Sequence, residues 1–130
     1  MGYGLPAAIA ASRVLQQPAV SVTGDGGMAM VIGELGLLKR LQTVVIIVIM
    51  NDSALDLIRS AQNRVGEETF GTEFVNPDWL QIAQAYDITA VRVTTEEEIE
   101  TAVKQAISDN STLIIDAQID PISYPTTPQK

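Results

Sequence analysis

The sequence contains no cysteine and no histidine among its 130 residues. These absences exclude disulfides, thiolate metal sites, Cys–His and Ser–His nucleophilic machinery, and imidazole acid–base catalysis within this chain. Basic residues are also few, since eight Lys and Arg oppose sixteen Asp and Glu and leave a net charge of −8. We therefore expect no nucleic-acid partner and no attraction to an anionic membrane surface. Chemistry that uses a hard cation with oxygen ligands remains open.

Long hydrophobic runs are absent as well. The most apolar segment is residues 44–50, whereas a helix that crosses a bilayer needs about 20 apolar residues. Residues 1–12 lack the basic region that opens a targeting signal. We expect a cytoplasmic protein with no membrane partner. A content of 46% hydrophobic and 18% charged residues is typical of a globular protein, and we predict a single domain over residues 1–130.

Apolar periodicity and turn residues predict strands that alternate with helices. The strands are predicted at residues 19–23, 44–50, 90–93 and 113–119. The helices are predicted at residues 5–16, 29–41, 54–61, 78–86 and 95–108. A long surface loop is expected at residues 62–77, and an extended tail from Asp120. The alternation predicts an α/β fold of three layers, in which a mostly parallel sheet carries helices on both faces.

Two turns rich in oxygen atoms follow the first two predicted strands. They are residues 24–27 (Gly-Asp-Gly-Gly) and residues 51–53 (Asn-Asp-Ser). Open parallel sheets bind ligands beyond the carboxyl ends of their strands, where both turns should emerge. Gly26 and Gly27 would let backbone N–H groups approach a phosphate at the start of the next helix. A divalent cation would join Asp25, the second turn and the phosphate. A purely structural role for the two turn aspartates stays open.

The segment from Gly24 to Ala29 also fits the G-x-G-x-x-G/A pattern of dinucleotide-binding sheets. In that interpretation Asp52, at the end of the next strand, would bind a ribose. Asp25 argues against it, because its carboxylate would lie in the turn that receives the pyrophosphate with no cation to neutralise it. We therefore favour the cation site over the dinucleotide site.

The order and spacing of the two turns resemble the signature of enzymes that depend on thiamine diphosphate. Gly24-Asp25-Gly26, 24 intervening residues and then Asn51-Asp52 are similar to the GDG and NN signature, which binds cofactor diphosphate and Mg²⁺ in that family. Residues 1–8 (MGYGLPAA) resemble a segment that precedes this signature in the acetolactate synthase and 2-oxoacid decarboxylase branch. Residues 76–79 (NPDW) resemble the close of the family's diphosphate-binding domain.

The resemblance implies roles for eight residues of this sequence. The metal ligands would be the side chains of Asp25 and Asp52 and the backbone carbonyl of Ala54. The cofactor-binding residues would be Met1, Gly24, Gly26, Gly27 and Leu55. Met1 would support the bent cofactor beneath its thiazolium ring and would then be an internal position of a longer chain, although an initiator methionine is an equal interpretation.

The sequence also departs from the family pattern. Asp52 replaces the second Asn of the signature, which keeps an oxygen ligand and adds a charge. Ala61 stands where biosynthetic acetolactate synthases usually carry Trp, so the identity of the 2-oxoacid substrate stays open.

The resemblance further implies that the chain is roughly the last quarter of a homo-oligomeric enzyme and lacks the first strand of its domain. The activating glutamate would belong to a pyrimidine-binding domain, in the same enzyme or on another subunit, so we expect no catalytic residue and no activity in this chain alone. The expected function is to bind the diphosphate and Mg²⁺ within an acetolactate-synthase-like carboligase or a 2-oxoacid decarboxylase. The alternative is a non-catalytic α/β module, or a truncated product, that acts only through association with other chains.

Overall fold

The computed structural model describes residues 1–120. The tail that the sequence predicts to be extended lies outside the described residues beyond Asp120. The described part of the chain contains four strands and six α-helices. The strands are β1 (Ala19–Gly24), β2 (Val45–Asn51), β3 (Thr89–Val93) and β4 (Leu113–Gln118). The helices are α1 (Gly4–Leu15), α2 (Asp25–Ala29), α3 (Leu35–Leu41), α4 (Asp56–Arg64), α5 (Trp79–Ala85) and α6 (Glu96–Ser108), with a 3₁₀ turn at Ile32–Glu34.

The strands form one sheet in the order β1-β2-β4-β3, and every neighbouring pair is parallel. The register pairs Gly24 with Met50, and Met50 with Ala117, so the carboxyl ends of the first, second and fourth strands lie at one edge. This arrangement confirms the predicted α/β class. It also brings the two oxygen-rich turns side by side, because each turn follows one of two adjacent parallel strands.

Buried side chains form two clusters on opposite faces of the sheet. Alternate residues of β2 divide between them: Ile47 and Ile49 join the cluster under α1, α3 and α5, whereas Ile46 and Val48 join the cluster under α6. Because successive side chains of a strand point to opposite faces, this division shows that helices cover both sides. The uninterrupted apolar run of β2 is therefore that of a strand buried on both faces, as the sequence predicts.

The first oxygen-rich turn differs from its sequence prediction. The sequence predicts a tight turn over residues 24–27 and one helix over residues 29–41, whereas Gly24 closes β1 and α2 begins at once with Asp25. The helical path is then interrupted at Val31, whose φ of −126° is not helical. Helix propensity does not predict α2, because its first turn contains two glycines. Each glycine makes a helix less stable than alanine does, by about 1 kcal/mol. Local contacts of the Asp25 carboxylate stabilise this turn instead.

None of the helices within residues 1–120 combines the length and the apolar character that a membrane crossing requires.

Helix α6 begins with the capping box that the sequence predicts. Thr95 Oγ1 accepts the N–H of Glu98, and the Glu98 carboxylate accepts the N–H groups of Thr94 and Thr95. These backbone hydrogen bonds, first that of Thr94 and then that of Thr95, lower the pKa of Glu98 below its ordinary value of 4.5. A carboxylate with a lowered pKa in the folded state stabilises the fold above its unfolded pKa, and this stabilisation is lost as the pH falls through the folded pKa.

We therefore expect Glu98→Gln to lower the melting temperature at pH 7, and the difference from wild type to shrink as the pH falls below 4.5. Thermal unfolding followed by circular dichroism, at pH 7 and at a pH below 4.5, measures this change in melting temperature. Glu97→Gln is the matched control, because it removes a charge from the same helical turn without removing an acceptor of these N–H groups. A Glu98→Gln difference that stays constant with pH would contradict the expectation.

Candidate functional site

The two oxygen-rich turns open into one cleft at the carboxyl edge of the sheet, with a volume of about 450 Å³. Its walls include every residue to which the sequence assigns a role with metal or cofactor. These residues are Met1, Gly24, Asp25, Gly26, Gly27, Asp52, Ala54 and Leu55. Residues that are separated by up to 54 positions in the sequence thus share one cavity, because β1 and β2 are adjacent and parallel.

Asp25 is the most buried acidic residue of the cleft, with 2% of its surface exposed. Its Oδ1 accepts the N–H of Gly26 at 2.7 Å, while its Oδ2 accepts the N–H of Ser53 at 2.8 Å and Nδ2 of Asn76 at 2.6 Å. An ionised carboxylate oxygen has room for about two such partners. Oδ2 is therefore fully occupied, and Oδ1 keeps one acceptor position for a further ligand.

Ser53 is held in an unusual backbone conformation beside this carboxylate. Its φ is +59°, in the left-handed region that non-glycine residues seldom adopt. In this conformation its N–H donates to Asp25 Oδ2, which ties the second turn to the start of α2. Strained residues of this kind persist where the surrounding contacts fix them, and they cluster at functional sites.

Asp52 supplies the second acidic side chain of the cleft. Its Oδ1 accepts the N–H of Ala54 at 3.1 Å, a hydrogen bond typical of a structural turn aspartate. Its Oδ2 is buried and has no hydrogen-bond donor among the described residues. Because a buried carboxylate oxygen without a partner is costly, this atom fits a cation as its missing partner. The structural role and the proposed metal role thus use different oxygens of one side chain.

The glycines of the first turn differ in the space around them. A Cβ on Gly26 would lie 2.7 Å from Leu55 Cδ2, and one on Gly27 would lie 2.8 Å from Thr23 Oγ1. A Cβ on Gly24 would have no heavy atom of residues 1–120 within 4 Å. Packing within the chain therefore explains the two inner glycines, while at Gly24 the open space is compatible with a ligand. The N–H of Gly26, which the sequence assigns to a phosphate, is occupied by Asp25 in this structure.

The long loop after α4 holds the second turn in place. The N–H of Leu55 donates to the carbonyl of Thr72 at 2.7 Å, and the N–H of Phe74 donates to the carbonyl of Ser53 at 3.2 Å. These two hydrogen bonds flank an antiparallel bridge between Ala54 and Glu73. The carbonyl of Ala54, which the sequence assigns to the metal, therefore belongs to a segment fixed from both sides.

One wall of the cleft is apolar and open to solvent. Met1 and Leu57 are 75% and 82% exposed, and Val22 and Ile58 are also exposed. Exposed apolar side chains that line a cavity are typical of a surface that another apolar group covers. The cleft thus combines an acidic, hydrogen-bonded floor with an apolar rim.

A network of polar side chains that sequence reasoning missed runs behind the cleft. Asn76 Nδ2 donates to Asn51 Oδ1 at 2.8 Å, and Asn51 Nδ2 donates to Asp116 Oδ1 at 2.7 Å. Asp116 is fully buried in β4, and its Oδ2 accepts Nε of Arg92 at 2.8 Å. This hydrogen bond and the charge of Asp116 raise the pKa of Arg92. A signal for the network exists in the sequence, since one Asp interrupts the apolar run of β4.

The number of acidic side chains limits which cation the site can hold. Within residues 1–120, no group of three or more His, Cys, Asp or Glu side chains is arranged to bind a metal ion. Mg²⁺ is commonly held by one or two carboxylates together with phosphate oxygens and water. Two aspartates and a fixed backbone carbonyl therefore fit Mg²⁺ that a phosphate ligand shares.

Comparison with known proteins places this cleft in a family context. Residues 1–117 match the family described as "Thiamine pyrophosphate enzyme, C-terminal TPP binding domain". Acetolactate synthase isozyme 2 large subunit of Escherichia coli K12 is 29% identical over 98% of this chain, and a probable acetolactate synthase large subunit of Methanocaldococcus jannaschii is 34% identical over 93%. The chain spans only 24% and 21% of the lengths of these two relatives.

A solved structure has the same fold. The thiamine diphosphate-dependent 4-hydroxybenzoylformate decarboxylase of Rhodococcus jostii RHA1 superposes with a TM-score of 0.82 and 26% sequence identity. The superposition covers 93% of this chain and 24% of that one.

Proposed function

The chain belongs to the thiamine pyrophosphate enzymes, as their C-terminal cofactor-binding domain, and we propose that its cleft holds the diphosphate of thiamine diphosphate (thiamine pyrophosphate) through Mg²⁺. In this proposal the metal ligands are the side chains of Asp25 and Asp52 and the carbonyl of Ala54. The cofactor-binding residues are Met1, Gly24, Gly26, Gly27 and Leu55.

One observation carries the proposal: Asp52, which lines the cleft, has a buried Oδ2 with no hydrogen-bond donor within residues 1–120. Asp25 Oδ1, in the same cleft, retains an acceptor position beyond its hydrogen bond to Gly26. Mg²⁺ takes six oxygen ligands in near-octahedral geometry. Three from this chain leave about three positions for diphosphate oxygens and water.

Charge explains why the cation is needed. The chain has a net charge of −8, and three aspartates, Asp25, Asp52 and Asp56, line the cleft. A diphosphate brought next to them without a cation would be repelled. The first turn of α2 has backbone N–H groups without partners in the helix, and Gly24 leaves open space beside it. Both features favour approach of a phosphate once the cation is bound.

We further propose that the chain serves a cytoplasmic enzyme that acts on a 2-oxoacid, as an acetolactate-synthase-like carboligase or a decarboxylase. When bound, thiamine diphosphate supplies the electron sink for loss of CO₂ from such a substrate. This chain contributes anchoring and charge neutralisation. The activating glutamate, a pyrimidine-binding domain and a homo-oligomeric assembly belong to the same proposal, and the apolar rim at Met1 and Leu57 is a surface that such a domain would cover.

Calorimetric titration of the 130-residue chain tests the proposal. We expect heat of binding with thiamine diphosphate in the presence of Mg²⁺, and none when EDTA replaces the metal. Thiamine, which lacks the diphosphate, serves as the control ligand and should not bind in Mg²⁺. Binding of thiamine diphosphate that is equally strong without metal, or no binding with it, would overturn the proposed site.

A further inference from the structure

Asn76 lies where the long loop meets both turns of the cleft. Its Nδ2 contacts Asp25 Oδ2 at 2.6 Å, Asn51 Oδ1 at 2.8 Å and Ser53 Oγ at 3.4 Å. These partners come from α2, from the end of β2 and from the turn that follows it. One amide group therefore joins three segments, 51, 25 and 23 residues away in sequence.

The buried carboxylate of Asp116, which pairs with the partly exposed Arg92, helps to determine which way the amide of Asn76 points. The carboxylate of Asp116 accepts from Arg92 and from Asn51, so Asn51 directs Nδ2 toward it and Oδ1 away from it. Asn51 Oδ1 then accepts from Asn76, which must in turn present Nδ2. The same NH₂ group reaches Asp25. Arg92 supports this orientation of the two amide groups, because its Nε donates to the other oxygen of Asp116.

This orientation of the Asn76 amide has a cost at its oxygen atom. Asn76 Oδ1 is buried and has no donor in the described part of the chain. Reversing the amide would place that oxygen against Asp25 Oδ2 and Asn51 Oδ1, both of which are acceptors. The network therefore holds Nδ2 against Asp25 although Oδ1 has no partner within residues 1–120, and a buried unpaired oxygen costs about 1–3 kcal/mol.

We propose that Asn76 is a positioning residue that occupies Oδ2 of Asp25 and thereby presents Oδ1 of that carboxylate to the cation. The inference rests on the proposed cation site. With Ser53 and Asn76 both on Oδ2 and Gly26 on Oδ1, the one acceptor position that remains on the carboxylate belongs to Oδ1. Without Asn76, the carboxylate loses one of its two contacts at Oδ2, and only the N–H groups of Gly26 and Ser53 orient it. Residues that orient a metal ligand typically contribute about 10–100-fold to metal affinity.

Two substitutions separate hydrogen bonding from packing. Asn76→Leu keeps the approximate shape of the side chain and removes the donor, whereas Asn76→Gln keeps the donor and changes the length. Affinity for Mn²⁺, a paramagnetic probe for the Mg²⁺ site, is measured by electron paramagnetic resonance in the presence of thiamine diphosphate. We expect Asn76→Leu to weaken Mn²⁺ binding about 10–100-fold, and Asn76→Gln to weaken it less.

Asn63→Leu is the matched control, because Asn63, near the end of α4, accepts a hydrogen bond from Thr69 in the long loop and has no hydrogen bond to Asp25. It should leave Mn²⁺ affinity unchanged. Amide hydrogen exchange without any metal gives a second readout, since the N–H of Ser53 donates to Asp25 Oδ2. We expect faster exchange at Ser53 in Asn76→Leu and not in Asn63→Leu.

The outcomes distinguish this inference from the function on which it rests. A wild-type chain that binds no Mn²⁺ with thiamine diphosphate would overturn the proposed function. A wild-type chain that binds Mn²⁺ together with an Asn76→Leu variant that binds it equally well would overturn only the positioning role. Equal losses in Asn76→Leu and Asn76→Gln, or unchanged exchange at Ser53 in Asn76→Leu, would also overturn that role.

Discussion

Asp25→Ala is expected to weaken Mg²⁺-dependent binding of thiamine diphosphate by more than about 100-fold, because loss of a direct ligand should exceed the 10–100-fold that outer-shell residues contribute. The substitution removes one of the two aspartates that we propose as metal ligands in the cleft. It also removes the acceptor of the N–H groups of Gly26 and Ser53, so the two turns lose their common anchor. Calorimetry with thiamine diphosphate and Mg²⁺ measures the loss.

Two further variants separate the lost ligand from lost structure. Asp25→Asn keeps an oxygen that can accept from Ser53 or Gly26 but removes the negative charge, so we expect an intermediate affinity. Asp109→Ala removes an exposed carboxylate at the C-terminal end of α6 and should bind as wild type does. Wild-type affinity in Asp25→Ala would show that the cation lies elsewhere.

Trp79→Ala is expected to destabilise the fold by about 3–5 kcal/mol, the usual cost of truncating a fully buried large aromatic side chain. Trp79 is 0% exposed and belongs to the core cluster under α1, α3 and α5. A typical domain has only about 5–15 kcal/mol of stability, so this loss takes a large share of it. Urea denaturation followed by circular dichroism gives the change in free energy of unfolding.

The matched control for Trp79 is another aromatic residue at the surface. Phe70→Ala removes a ring that is 85% exposed and should change stability by less than about 0.5 kcal/mol. Trp79→Phe should cost less than Trp79→Ala, because the indole Nε1 has no hydrogen-bond partner within residues 1–120 and the smaller ring still fills part of the space. A loss below about 1 kcal/mol in Trp79→Ala would contradict its place in the core.

The expected effect of Trp79→Ala extends to the cleft. Trp79 opens α5, and Asn76 lies three residues before it. Asp78 caps the same helix by accepting the N–H of Leu80 at 3.0 Å, and it also contacts Arg92. The core under α5 therefore supports the chain segment that brings Asn76 to Asp25, so weaker metal-dependent binding should accompany the loss of stability.

Local patterns sufficed for the parts of the fold that depend on neighbouring residues. The apolar run of β2 indicated a strand buried on both faces, and Thr95 with Glu98 indicated the start of α6. Both signals act over a few residues, through strand periodicity and a reciprocal hydrogen bond. The break at Val31 was not predictable in this way; Met28 before it and Leu35 after it both lie in the core cluster, whose packing depends on distant elements.

In the cleft, too, some features follow from neighbouring residues and others from packing between distant segments. Strand patterns in the sequence are enough to predict that Asp25 and Asp52 follow successive strands, and adjacent parallel strands bring their ends together. The strand order, the burial of Asp52 Oδ2 and the contact of Asn76 with Asp25 depend on how distant segments pack. An amide side chain has no periodicity that reveals its partner, since its hydrogen bonds depend on where a distant segment of the chain returns. Its role at the cleft is therefore fixed by packing between elements, and local sequence carries no signal for it.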